Sequence, residues 1–80
     1  MMESSMETYK LSVRLLENLL MLRNFENKRE IENLAQIMLS NVINSDYPEI
    51  IKEAYTLLVH NIDMMTFEEM MNLKTQLINK

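Results

Sequence analysis

Apolar residues recur along most of this chain at three- and four-residue spacings, the period of an α-helix with one face turned inward. Over residues 5–25, Tyr9, Val13, Leu16 and Leu20 form one such stripe, and Leu11, Leu15, Leu19 and Leu22 form a second. Lys10, Arg14, Glu17 and Asn24 leave only a narrow polar face. A helix apolar over more than half its circumference needs more than one neighbour. This first helix is therefore expected at the centre of the fold or shared between two subunits. A second helix, 28–44, is conventional, with Ile31, Leu34, Ala35, Met38, Leu39 and Val42 inward and Glu32, Asn33, Gln36 and Ser40 outward. A third, 48–60, sets Ile51, Ala54, Tyr55 and Leu58, continued by Ile62, against Glu49, Lys52, Glu53, Thr56 and His60. A fourth, 67–79, has Phe67, Met70, Met71, Leu77 and Ile78 on its apolar side.

The helix starts carry their own signal. A residue able to accept from the N3 backbone, followed three positions on by a glutamate that reaches back, satisfies two orphan N–H groups. Ser4…Glu7, Asn27…Glu30, Asp46…Glu49 and Thr66…Glu69 all have this spacing, and they lie 23, 19 and 20 residues apart. Met65 before the last cap and Met70 at the fourth helical position have the spacing of a hydrophobic staple. Pro48 makes the firmest break, because it disfavours the α conformation at Tyr47 and is itself tolerated in a first turn. The junction at 24–27 holds neither glycine nor proline, so the first two helices have the option of fusing.

Composition narrows the function. Eighty residues make one small domain that hides roughly 60–65 % of its unfolded surface and is short of core. Glycine and cysteine are absent. That removes tight hairpins, phosphate-cradling loops, disulfides and thiolate metal sites together. With a single histidine, His60, a multi-histidine metal site has no ligands either. Self-association is the remedy left to so small a core. No segment approaches about 18 uninterrupted apolar residues, so no bilayer span is expected. A cysteine-free chain without a signal-peptide pattern fits the cytoplasm. Net charge is −4 and uneven, with five Lys/Arg against six Asp/Glu in residues 1–40 and three against six in 41–80. The second half repels nucleic acid and anionic membrane and attracts a basic surface.

Few features carry chemistry. His60 has only Asp63 nearby to orient it and no nucleophile motif, so it reads as a surface histidine near a helix end. Glu68 and Glu69 are adjacent on a helix, hence about 100° apart, and make no catalytic dyad. Arg23, Lys28 and Arg29 form the basic cluster, a possible contact patch for DNA. A helix-turn-helix reader needs Arg, Lys, Asn or Gln on its recognition helix, whereas the third helix presents Glu49 and Glu53 around Lys52. The nine methionines are more suggestive, four of them at Met64, Met65, Met70 and Met71. Methionine either fills gaps in a small core or supplies an adaptable contact surface, and sequence leaves both readings open.

The pattern thus predicts an all-α protein, a compact four-helix assembly of two antiparallel helical hairpins that pairs as an isologous homodimer. The expected function is binding: an acidic helical module that regulates, inhibits or chaperones another protein, in the manner of antitoxins, immunity proteins, secretion chaperones or phage inhibitors. No catalytic, metal or cofactor site is expected. The surplus apolar surface is placed at Leu11, Leu15, Leu19, Leu22, Met64, Met65, Met70 and Met71. The alternative is a small dimeric transcriptional regulator touching DNA through Arg23, Lys28 and Arg29.

Overall fold

The computed structural model describes residues 2–79, with side chains for 6–79. Four helices follow one another, α1 (Met2–Leu22), α2 (Lys28–Ile43), α3 (Glu49–Met64) and α4 (Phe67–Ile78), and no strand occurs among the described residues. The radius of gyration is 12.7 Å, slightly above the ~11.6 Å expected of a chain this long.

Two of the four expected caps form. Asn27 Oδ1 accepts from Glu30 N at 3.1 Å, while Glu30 Oε2 reaches back to Glu26 N at 2.6 Å. Thr66 Oγ1 accepts from Glu69 N at 3.1 Å and Glu69 Oε1 accepts from Thr66 N at 2.8 Å, a complete capping box. The other two fail for different reasons. α1 already begins at Met2, so Ser4 falls inside the helix, and its side chain lies outside the described residues. At α3 the N-cap is Pro48, not Asp46. Its ψ of 152° is extended, and its carbonyl accepts from Ile51 and Lys52. The ring sets φ at the turn itself, and Asp46 makes no cap.

Helices α1 and α2 are separate. Without glycine at the junction, the break is built by side chains from elsewhere. Phe25 turns inward and is buried, and the Arg23 guanidinium lies 4.9 Å over its ring. Lys74 of α4 donates to the Arg23 carbonyl at 2.9 Å and to Asn24 Oδ1 at 2.7 Å. The α3 end is treated alike, with Lys28 of α2 donating to the Asp63 carbonyl at 3.2 Å. None of the four helices has a basic residue in its own last turn. The C-terminal ends of α1 and α3 instead take a cation from a neighbouring helix, which answers their orphan carbonyls and negative dipole ends.

α3 packs extensively on both α1 and α2, and α1 touches all three other helices. Lys28 at the start of α2 meets the end of α3, so these two run antiparallel. α1 runs alongside α3 in the same direction: Ser12 meets Asn61, and Leu16 shares a cleft with Met64 and Met65. The core draws Leu16, Leu19 and Leu20 from α1, Phe25 from the junction, Ile31 and Ala35 from α2, Leu58 and Ile62 from α3 and Met70 from α4.

The buried line of α1 takes Leu16 and Leu20 from one stripe and Leu19 from the other, and Thr8 and Ser12, members of neither, extend it at helical spacing towards the N-terminus. Small side chains at these buried positions suit a close approach of α1 to α3, where Ser12 meets Asn61. Ser12 Oγ donates to the Tyr9 carbonyl at 2.7 Å and accepts from Asn61 Nδ2 at 3.2 Å, so its burial carries no unmet hydrogen bond. Tyr9, Val13, Leu11 and Leu15 are left on the flanks.

Candidate functional site

The eight residues expected to offer a contact surface divide three ways. Leu19 is 1 % exposed and Met70 0 %, so both belong to the monomer's own core. Both lie on faces already covered: Leu19 on the α1 line turned into the core, and Met70 one turn into α4 beyond the cap. Leu11, Leu15, Met65 and Met71 are half-buried. Leu22 is 64 % exposed and Met64 71 % exposed. The methionine cluster therefore splits between core filling and free surface.

Exposure does not stop at those two. Met6, Tyr9, Met21, Ile37, Ile43, Tyr47 and Ile78 also stand largely in solvent. Most are dispersed, as single apolar residues on a surface usually are. One group is not. Between α1 and α3 runs an open cleft of about 510 Å³, floored by Leu16, Leu57 and Asn61. Tyr9 and Val13 form its α1 wall, His60 and Met64 its α3 wall, and Met65 and Leu73 close it at the α4 end. The hollow lies along one side of the α1–α3 contact, next to the Ser12–Asn61 hydrogen bond.

Sequence pattern had put Tyr9 and Val13 on an inward stripe and passed over Leu57. The signal for Leu57 was available: it stands three and four residues before His60 and Asn61, off the main α3 stripe. A second hollow, about 610 Å³, is lined by Thr8, Ile43, Thr56 and Leu57 together with the charged Glu49, Lys52 and Glu53.

The basic cluster is largely engaged in holding the fold. Lys28 closes the end of α3 and Arg23 covers Phe25, which leaves Arg29 exposed. Arg23 and Lys28 are thus structural cations before they are anything else. His60 is exposed on α3, one turn before the helix end, and lines the cleft. Glu69 has its carboxyl held below the ordinary value by the hydrogen bond from the Thr66 backbone N–H, and secondarily by the Thr66 hydroxyl. That is capping electrostatics at an exposed position. Among the described residues no group of three His, Asp or Glu side chains is placed to hold a metal ion, and no helix is long and apolar enough to cross a membrane.

No known protein family, no curated protein and no solved structure matches this chain.

Proposed function

We propose that this protein is an acidic helical binding module that regulates, inhibits or chaperones another protein. The observation that carries the reading is the open apolar cleft between α1 and α3, rimmed by exposed Tyr9 and Met64. Contiguous apolar surface of this kind costs solubility in a free monomer and is ordinarily covered when the protein works. The chemistry around it is that of a contact site: the polar side chains in the lining are Tyr9, His60 and Asn61, and Asn61 is already bonded to Ser12. A cytoplasmic setting goes with the proposal through the cysteine-free composition.

Self-association is the second part of the same reading. Leu11, Leu15 and Leu22 recur at four- and seven-residue spacings on the α1 flank away from the cleft, and Leu22 is almost bare. An isologous dimer through this flank leaves the cleft free for another protein. The antiparallel two-hairpin arrangement stays an expectation: the antiparallel pair that packs closely is α2 with α3, joined by the short turn at 44–48, which is the link between the two expected hairpins.

The test pairs two measurements on the full chain. Sedimentation velocity at micromolar concentration is expected to show a dimer that Leu22→Asp dissociates. Affinity capture from host lysate is expected to retain a protein that Met64→Asp releases. A chain that stays monomeric and retains nothing sensitive to Met64→Asp sinks the proposal. DNA contact has no observation in its favour once Arg23 and Lys28 are accounted for within the fold.

A further inference from the structure

Of the four helices α4 is the shortest, 12 residues, and the least embedded. A free helix of that length is marginal in water, so α4 is folded by what it packs on. Among the described residues its backbone comes close mainly to α1, and less extensively than α3 comes to α1 or α2. Met70 is its one buried residue, where α2 buries Ile31, Ala35 and Val42 and α3 buries Ala54, Leu58 and Ile62. Phe67, Met71 and Leu73 lie partly covered against the core, and Ile78 stands in solvent. A segment with so few buried apolar side chains opens at a lower free energy than the body it rests on.

The polar contacts show where such an opening would turn and what restrains it. Met65 and Thr66, between α3 and α4, are both extended, with ψ of 144° and 161°. The cap at this point is local, since Thr66 and Glu69 bond to each other and complete the first turn of α4 without reaching another helix. On the α3 side, Lys28 of α2 donates to the Asp63 carbonyl and fastens that helix end to the body. The two extended residues thus lie between a helix end that is held and a helix start that carries its own cap. Hinges are commonly a few residues at such element ends. Farther along α4, Lys74 spans to the α1–α2 junction, bonding the Arg23 carbonyl and Asn24 Oδ1.

We infer that α4 is a hinged arm, which leaves the body as a unit about Met65–Thr66, with Met70 as its seat in the core and Lys74 as its latch. Met70 and Lys74 lie four residues apart, on one face of the helix, so seat and latch release together. Leu73 leaves with them, and the α1–α3 cleft that it helps to close then opens toward the core that Met70 fills. The arm is independent of the binding reading, because it opens whether or not the cleft has an occupant.

Amide hydrogen exchange of the full chain in urea below the unfolding transition tests this. Once off the body so short a helix frays, so its amides exchange from the open state. Those beyond the first turn of α4 are expected to share one opening free energy. They should exchange at least about tenfold faster than the slowest amides of α1 and α3, with a much shallower urea dependence than global unfolding. Lys74→Met, which removes the latch, is expected to speed α4 exchange about fivefold. Lys28→Met is expected to leave α4 exchange unchanged while lowering the urea midpoint of the whole protein, because the bond to Asp63 is kept in both positions of the arm. Exchange of α4 with the free energy and urea slope of the core overturns the inference, and so do equal effects of the two substitutions on α4. Amides of α4 that exchange one by one, without urea dependence, show fraying from the helix end and overturn the hinged unit as well.

Discussion

Leu19→Ala set beside Leu22→Ala separates the core of this protein from its surface more sharply than any other pair. The two leucines are three residues apart on α1 and were equivalent members of one apolar stripe, yet Leu19 is 1 % exposed and Leu22 64 % exposed. Truncating Leu19 forfeits about 2.4 kcal/mol of transfer free energy, roughly three buried methylene equivalents. The cavity left among Leu16, Leu20 and Leu58 raises the loss to about 3 kcal/mol, within the ~2–5 kcal/mol seen for such changes. A fold of this length holds only about 4–12 kcal/mol in total. The variant should therefore melt about 12–24 °C lower. Leu22→Ala should move stability by less than about 0.5 kcal/mol in the monomer. Urea unfolding followed by helical circular dichroism measures both, with an unchanged m-value as the sign that the folded state keeps its extent. Equal losses in the two variants, or a larger one at Leu22 in dilute protein, would refute the burial assignment on which the division of the surface depends. A Leu22 loss that grows with protein concentration is the dimer's signature instead, because only an associated state then buries it.

Four further outcomes follow, two from contacts between helices and two from the cap of α4. Lys74→Met should cost about 1 kcal/mol by uncovering the Arg23 carbonyl and the α1 terminus, measured as a lowered urea midpoint, whereas Lys10→Met should cost almost nothing. Ser12→Leu should destabilise by about 1–3 kcal/mol or more despite increasing apolarity, since a larger side chain has no room between α1 and α3; a neutral or stabilising result in thermal unfolding sinks the close-contact account. Thr66→Ala should cost about 1 kcal/mol through the lost cap. Because Glu69 has its carboxyl lowered in the folded state, its contribution is complete above its ordinary pKa of 4.5 and disappears as pH falls through the lower folded value. Glu69→Gln should flatten that part of the acid limb of the stability profile, and an unaltered limb shows the box to be energetically idle.

Much of the architecture was legible in the chain because it is local. Asn27 and Thr66 cap where the spacing places them, since the acceptor, the N3 amide and the returning glutamate lie within four residues. Asp46 looked equivalent and was not, because Pro48 sets the backbone of the turn whatever side chain precedes it. What escaped was everything that depends on which helix meets which. Lys74 reaches a junction 50 residues upstream, and no periodicity encodes that meeting. Thr8 and Ser12 belong to neither apolar stripe, so periodicity does not mark them, yet both are buried, Ser12 with its hydroxyl bonded to Tyr9 and Asn61.

That same packing of α1 on α3 also decides where apolar surface is left open. Had α1 met α3 through one of its leucine stripes, the other stripe would have been the exposed face, and Leu11, Leu15, Leu19 and Leu22 would have stood in solvent together. Burial instead runs along Thr8, Ser12, Leu16, Leu19 and Leu20, and leaves the rest of each stripe on a flank. Tyr9 and Val13 on one side then stand over Leu57 and Met64 without closing on them, leaving an apolar trough. On the other side Leu11 and Leu15 are partly covered and Leu22 is left bare. The surplus of apolar helix surface in this chain is thus divided by geometry into two unlike patches, and only the trough is lined from both α1 and α3. A single substitution that pries the helices apart, such as Ser12→Leu, should therefore damage the trough and the fold together, whereas Met64→Asp should abolish binding in a protein that still unfolds at the wild-type urea concentration.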